Sequence, residues 1–246
     1  MWSQAPQLLS LSGGEVHVWR APLEQAPELQ AALQERFLHS LDETERERAS
    51  RFHFDKHRQR FILGRGFLRA LLARYLQTAP EAVSFSYGPY GKPALSGEHY
   101  SLRFNASHSH ELAVYAFAQD HEIGADVEYI KKDLAIEDIA RHFFSAYEVQ
   151  TLSALPEAEK AAAFFRCWTR KEAYIKAIGS GLSHPLDQFD VTFAPGEPPA
   201  LLRDHRDPDA AVRWSMFNLE LSDYAGALAI QNINVTSVRT FDCPMP

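Results

Sequence analysis

Two stretches of helical periodicity, each followed after loops by strand-like runs, constrain this chain more than any other feature of its sequence. The first, HRQRFILGRGFLRALLARYLQ at residues 57–77, repeats apolar side chains at Phe61, Leu63, Phe67, Leu68, Leu71, Leu72 and Leu76. That spacing follows the 3.6-residue turn and predicts a long amphipathic helix edged with arginines. The second, FFRCWTRKEAYIKAIGSG at residues 164–181, sets Trp168, Glu172 and Lys176 four apart on one helix face and is ended by Gly179 and Gly181. Two similar α+β halves joined near residues 119–122 account for the repetition.

At 246 residues, 46% of them hydrophobic and 23% charged, the chain suits one larger soluble domain or two of half that size. Its start lacks a basic flank before an apolar run, and no stretch reaches the roughly 18 apolar residues of a membrane span, so a cytoplasmic protein without membrane contact is expected. Cys167 and Cys243 stand far apart and make neither a disulfide framework nor a zinc motif. The net charge of −7 argues against general nucleic-acid binding, yet residues 46–74 hold nine Lys/Arg against Glu47 and Asp55. A basic segment in an acidic chain suits a compact polyanion or a solvated basic face.

In chain order, EVHVW from Glu15 reads as a first strand, followed by a helix over 26–40. Asp42 is placed as an N-cap with Glu45 three residues on, and the helix that follows carries Arg46, Arg48 and Arg51. Arg60 falls near the head of the long helix, where amides and a guanidinium can jointly hold a phosphate. In YGKPAL, Gly91 allows close backbone approach and Lys92 supplies a point charge. Asn105 to Ser109 are expected as a loop entering a buried strand at 112–118, and a second strand follows at 123–129. Helix is expected over 136–155 with a break near Phe144 and Ser145, and the tail from Phe189 alternates strands and turns.

The second strand carries the sharpest chemical signal, because period two puts Gly124, Asp126 and Glu128 on one face. Two neighbouring carboxylates repel unless a cation lies between them, and all-oxygen ligation with few protein ligands suits magnesium, with Glu172 as a possible third carboxylate. A solvent-facing acidic pair, and an ordinary surface pair of Glu172 with Lys176, are the plain alternatives. His108 and His110 have the spacing of a zinc pair, but no cysteine lies near and the Ser/Asn-rich surroundings suit a phosphate better.

Taken together, YGKP at 90–93, FNASHS at 104–109, IGADVE at 123–128, FFSAYE at 143–148 and WTRKEAYIKAIGSGL at 168–182 resemble the 4′-phosphopantetheinyl transferases of the Sfp type. The blocks come in that family's order and span about residues 46–186, while the last sixty residues match only in general character. The resemblance implies two α/β subdomains with pseudo-two-fold symmetry, each with a small, mostly antiparallel sheet on a long helix and the active site in the cleft between them. Residues 1–120 would form the nucleotide- and phosphate-binding side, and 121–246 would carry the metal ligands and the catalytic helix. The implied partners are coenzyme A and an apo acyl, peptidyl or aryl carrier protein, with magnesium or manganese, in a monomer that binds no nucleic acid.

Carried over position by position, Asp126, Glu128 and Glu172 would hold the metal, and Glu172, Lys176 and His108 would be catalytic. Arg60, Tyr90, Gly91, Lys92, Pro93, Asn105, Ser107, His108, Asp126, Lys171, Glu172 and Lys176 would line the coenzyme A site. A metal-dependent nuclease would use a similar acidic set but needs a phosphate-tracking basic face, and a silent coenzyme A binding protein could dispense with a carboxylate.

Overall fold

The computed structural model describes residues 2–244 except 5, 7, 8, 98–100 and 132, and residue 182 by its backbone alone. Its elements in order are β1 (Glu15–Pro22), α1 (Pro27–Ser40), α2 (Glu43–Ser50), α3 (Asp55–Leu76), β2 (Phe85–Tyr87), β3 (Pro93–Leu95), β4 (Leu102–Ser109), β5 (Leu112–Gln119) and β6 (Ile123–Tyr129). There follow α4 (Ile136–Phe143), α5 (Ala146–Ser153), α6 (Glu157–Ile178), β7 (Phe189–Val191), β8 (Leu201–Asp204), β9 (Ser215–Asn218), β10 (Tyr224–Ile230) and β11 (Ser237–Asp242).

Two sheets of strand order β11-β1-β5-β4 and β6-β10-β9 meet face to face. Alternation along the strands decides which side chains meet. Val16, Val18, Val114, Ala116 and Ala118 of the first sheet pack against Ile123, Ala125, Val127, Leu228 and Ile230 of the second. On the outer face of the first sheet, Trp19, Tyr115 and Phe117 meet Leu63, Phe67, Leu71 and Leu72 of α3. On the outer face of the second, Ala227 and Ala229 join Phe164, Ala173, Ile175 and Ala177 of α6. The result is helix, sheet, sheet, helix, with one long helix to each half, as the paired helical stretches foretold.

Local signals explain the elements. Glu45 N donates to Asp42 Oδ1 at 2.8 Å and Asp42 N to Glu45 Oε2 at 3.1 Å, the expected capping box. A second capping box, Ser145 with Glu148, starts α5 at the expected helix break. Gly179 ends α6 in the left-handed region at φ +68°.

Three expectations change. Asn105 to Ser109 are strand and not loop: Leu102, Phe104 and Ala106 pack toward the first core while the intervening polar residues face β6. The helix α3 is not merely edged with arginines, since Arg69 is fully buried among Asp42, Glu45 and the Pro80 and Val83 carbonyls. The halves expected as 1–120 and 121–246 are also not closed on themselves, because β11 of the second lies parallel to β1 in the first sheet. There Phe241 packs on Trp19 with ring centroids 4.7 Å apart. Among the described residues no helix is long and apolar enough to cross a membrane, and Cys167 and Cys243 are buried and unpaired.

The fit of α6 on β6 sets the distance between the acidic strand and the second long helix. A Cβ on Gly124 would stand 2.0 Å from the Ala173 carbonyl oxygen and 2.5 Å from the Ala177 nitrogen, so only glycine admits this approach. Gly124→Ala should destabilise the fold by about 1–3 kcal/mol, the scale of overpacking. Urea unfolding at wild-type midpoint and slope would show that α6 does not seat here.

Candidate active site

Strands β4 and β6 run side by side in the same direction, joined by side chains and not by a backbone ladder. Asn105 Oδ1 accepts from Ala125 N at 3.0 Å, Ser107 Oγ from Val127 N at 3.4 Å, and Ser109 Oγ from Tyr129 N at 3.1 Å. The two hydroxyls then donate onward, Ser107 to Asp126 Oδ1 at 2.9 Å and Ser109 to Glu128 Oε2 at 2.8 Å. Lys176, one turn along α6 from Glu172, donates to the same Asp126 oxygen at 2.6 Å and to Ser107 Oγ at 2.9 Å.

Asp126 is 2% exposed, and its other oxygen, Oδ2, is buried with no hydrogen-bond partner among the described residues. An orphaned buried carboxylate oxygen is costly, and a hard cation is one way to satisfy it. Burial, and then the Asp126 charge, push Glu128 up from its ordinary range despite the Ser109 hydrogen bond. Glu172 is pushed up to about 7, first by burial and then by the Asp126 charge, with Glu128 adding to the effect and Lys176 opposing it. The three carboxylates thus feel one another, although among the described residues no three His, Cys, Asp or Glu converge as a preformed metal cage. Their all-oxygen donors fit magnesium or manganese, with the rest of the shell left to water or a ligand's phosphates.

Beside this cluster two adjoining hollows of about 250 and 220 Å³ share Gly91, Pro93 and Ala106. The first is lined by Arg48, Arg60, Arg65, Tyr87, Ser107 and His108, and the second by Tyr90, Lys92, Asn105, Ile175, Lys176 and Gly179. Gly91 needs its glycine for the backbone alone, at φ +82°, and Tyr90 is 63% exposed at the rim. His108 is held below its usual range, first by lost hydration in the cleft and then by the charges of Lys176, Arg60 and Arg48. His110 turns away to stack on Tyr129 at 4.6 Å, which separates the pair that zinc would need.

Several expected residues are engaged by the protein itself. Arg60 meets Glu24 at 2.6 Å, and the same carboxylate takes Lys56 at 2.8 Å. Lys92 ties the β2–β3 hairpin to Glu122 and to the Ala177 carbonyl at the end of α6, both at 2.6 Å. Asn105 spends its carbonyl on the seam. Lys171 is brought to a different place altogether: it is fully buried on the far side of α6, held by Glu148 at 2.7 Å and by the Leu186 and Phe189 carbonyls. Adjacent helix positions point about 100° apart, so Lys171 cannot share the face of Glu172. Arg65, Tyr87 and Ser109 were not singled out from sequence, although Ser109 follows Ser107 at the strand's period of two.

Comparison with known proteins gives one consistent result. The profile described as 4′-phosphopantetheinyl transferase superfamily matches residues 122–229, and that described as 4′-phosphopantetheinyl transferase, N-terminal, matches residues 28–120. The 4′-phosphopantetheinyl transferase HetI of a Nostoc species is 40% identical over 225 residues, covering 90% of each chain. The 4′-phosphopantetheinyl transferase Sfp of Bacillus subtilis is 36% identical over 157 residues, 64% of this chain and 68% of that one. Among solved structures, the Thermotoga maritima holo-[acyl-carrier-protein] synthase (AcpS) aligns with a TM-score of 0.37 and 22% identity over 45% of this chain and 62% of that chain.

The raised Glu172 carboxyl has a measurable consequence in metal-free protein. The folded state keeps its proton to about pH 7, whereas the unfolded chain releases it near 4.5, the ordinary value for a glutamate. Between those values the folded state binds more protons, so stability falls as pH rises through that window. Glu172→Gln should flatten this part of the stability profile, and an unchanged slope in chelator-treated protein would mean that Glu172 is an ordinary carboxylate.

Proposed function

Because this chain belongs to the 4′-phosphopantetheinyl transferase superfamily, we propose that it moves the phosphopantetheinyl arm of coenzyme A onto a serine hydroxyl of an apo acyl, peptidyl or aryl carrier protein, releasing adenosine 3′,5′-bisphosphate. The observation that carries the proposal is the meeting of a buried acidic cluster, with Asp126 Oδ2 unpartnered among the described residues, and an arginine-lined cleft that shares Ser107 and Lys176 with it. A nucleotide carrying both a pyrophosphate and a 3′-phosphate offers anions to each part.

In this reading Asp126, Glu128 and Glu172 hold a magnesium ion, which when bound offsets the charge of the pyrophosphate. Arg60, Lys92 and His108 serve the nucleotide phosphates, with Arg48 and Arg65 beside them in the cleft. For Arg60 and Lys92 this requires exchanging part of their present pairing with Glu24 and Glu122 for phosphate. Tyr90, Gly91 and Pro93 supply the wall beside the nucleotide.

The carrier serine attacks the phosphorus that bears the pantetheine arm. The bond from that phosphorus to the bridging oxygen breaks, and the bridging oxygen leaves with the nucleotide. A serine hydroxyl is a weak nucleophile at neutral pH, so its proton must be taken as the new bond forms. Glu172 is the fitting acceptor, since α6 sets its carboxyl at the acidic cluster, one turn from Lys176. Lys176 stabilises charge that grows on the departing oxygen.

Incubation with magnesium, coenzyme A and a panel of apo carrier proteins should add one phosphopantetheinyl arm to a carrier, read by intact mass. Excess chelator should abolish the gain, and full transfer with the metal stripped would remove the metal from the proposal. Glu172→Gln should keep coenzyme A affinity within about tenfold, or 1.4 kcal/mol, while lowering turnover by about 10² to 10⁴. Normal turnover in that variant at saturating magnesium would rule out Glu172 as the base.

A further inference from the structure

Ser109 occupies a position in the seam that none of the roles above uses. Its Oγ accepts from Tyr129 N at 3.1 Å and donates to Glu128 Oε2 at 2.8 Å. The first bond locks the hydroxyl rotor, because an oxygen already accepting from a fixed backbone amide has its proton free to point elsewhere. That proton points at one oxygen of Glu128, the carboxylate which buries less deeply than Asp126 and, among the described residues, makes no direct ion pair with a lysine. Ser107 makes the same two-way contact between Val127 N and Asp126, but there Lys176 also fixes the carboxylate. Ser109 is the one hydrogen-bond donor to Glu128 among the described residues.

Glutamate has one more rotatable bond than aspartate, and every bond that must be frozen on binding an ion costs affinity. A hydroxyl anchored on the backbone of the neighbouring residue removes that freedom in advance. A serine or threonine hydroxyl accepts the amide and donates to the carboxylate through a single atom.

We propose that Ser109 is a positioning residue for Glu128, presetting the second carboxylate of the cluster for a divalent cation. The proposal rests on the metal reading given above. Groups that orient a metal ligand from behind are worth about 10- to 100-fold in metal affinity, and the loss of Ser109 should show on that scale in metal binding, not in coenzyme A affinity measured at saturating metal.

The test is titration of Mn²⁺ into intact protein saturated with coenzyme A, following free Mn²⁺ by electron paramagnetic resonance. Ser109→Ala should weaken Mn²⁺ by about tenfold or more, Ser109→Thr should match wild type, and Ser109→Ala placed on Glu128→Gln should bind no more weakly than Glu128→Gln alone. Ser109→Cys, close in volume but a poor donor and acceptor, replaces the alanine variant if that does not fold. Wild-type Mn²⁺ affinity in Ser109→Ala, or a further loss on the Glu128→Gln background, overturns the positioning role and leaves Ser109 a residue of the seam. Asp126→Ala separates the two readings. If it too binds Mn²⁺ like wild type, the metal site itself falls. If it loses the ion while Ser109→Ala does not, only the role of Ser109 falls.

Discussion

The side-chain seam between β4 and β6 is the interaction on which the rest of this molecule depends. An edge strand presents unpaired amides, and each amide buried without a partner costs about 1–3 kcal/mol. Here three amides of β6, at Ala125, Val127 and Tyr129, are answered by Asn105, Ser107 and Ser109 in place of a neighbouring backbone. The same oxygens that close the edge also hold Asp126 and Glu128. Joining the halves and shaping the acidic cluster are therefore one event.

The distribution of charge follows a related division. Arg69 with Asp42 and Glu45, and Lys171 with Glu148, are cations neutralised inside the protein. Removing either partner of such a pair strands the other, at about 3–5 kcal/mol. These pairs fix α2 on α3 and α5 on α6. Of the cations toward the cleft, Arg65 is held on the same buried Glu45, whereas Arg60 shares Glu24 with Lys56, and Arg48 has only the face of Phe61 against its guanidinium among the described contacts. A phosphate can compete for such groups because their present partners are partly hydrated and worth little.

How much of this was legible in the sequence depended on whether a residue's neighbours in space were also neighbours in sequence. The capping box at Asp42, the helix break near Phe144 and Ser145, the two long helices and the apolar β5 are written in local pattern and legible there. The strand β4 was missed because Asn and Ser usually mark loops, and their use here, facing the β6 amides, appears only once a strand 20 positions later is in place. Lys171 and Glu172 stand side by side in one motif, yet helix geometry sends one to a buried ion pair and the other to the acidic cluster. A motif marks which residues a fold cannot do without; it does not say which of them touch a ligand. The return of β11 to β1 has no local signal at all, being a contact across more than two hundred residues.

The acidic cluster also explains why α6 must approach β6 so closely. Lys176 reaches Asp126, and Glu172 feels its charge, because Gly124, Ala173 and Ala177 present no bulk between helix and strand. A larger residue at any of the three would lengthen the Lys176–Asp126 contact and admit water, weakening first the burial and then the Asp126 field that raise the Glu172 carboxyl. That field falls with distance and with entering water, so the proton affinity of Glu172 is set by packing some distance from its own carboxyl. The close seat of the helix thus does two things at once: it closes the second core, and it tunes the carboxyl to which the proton transfer is assigned.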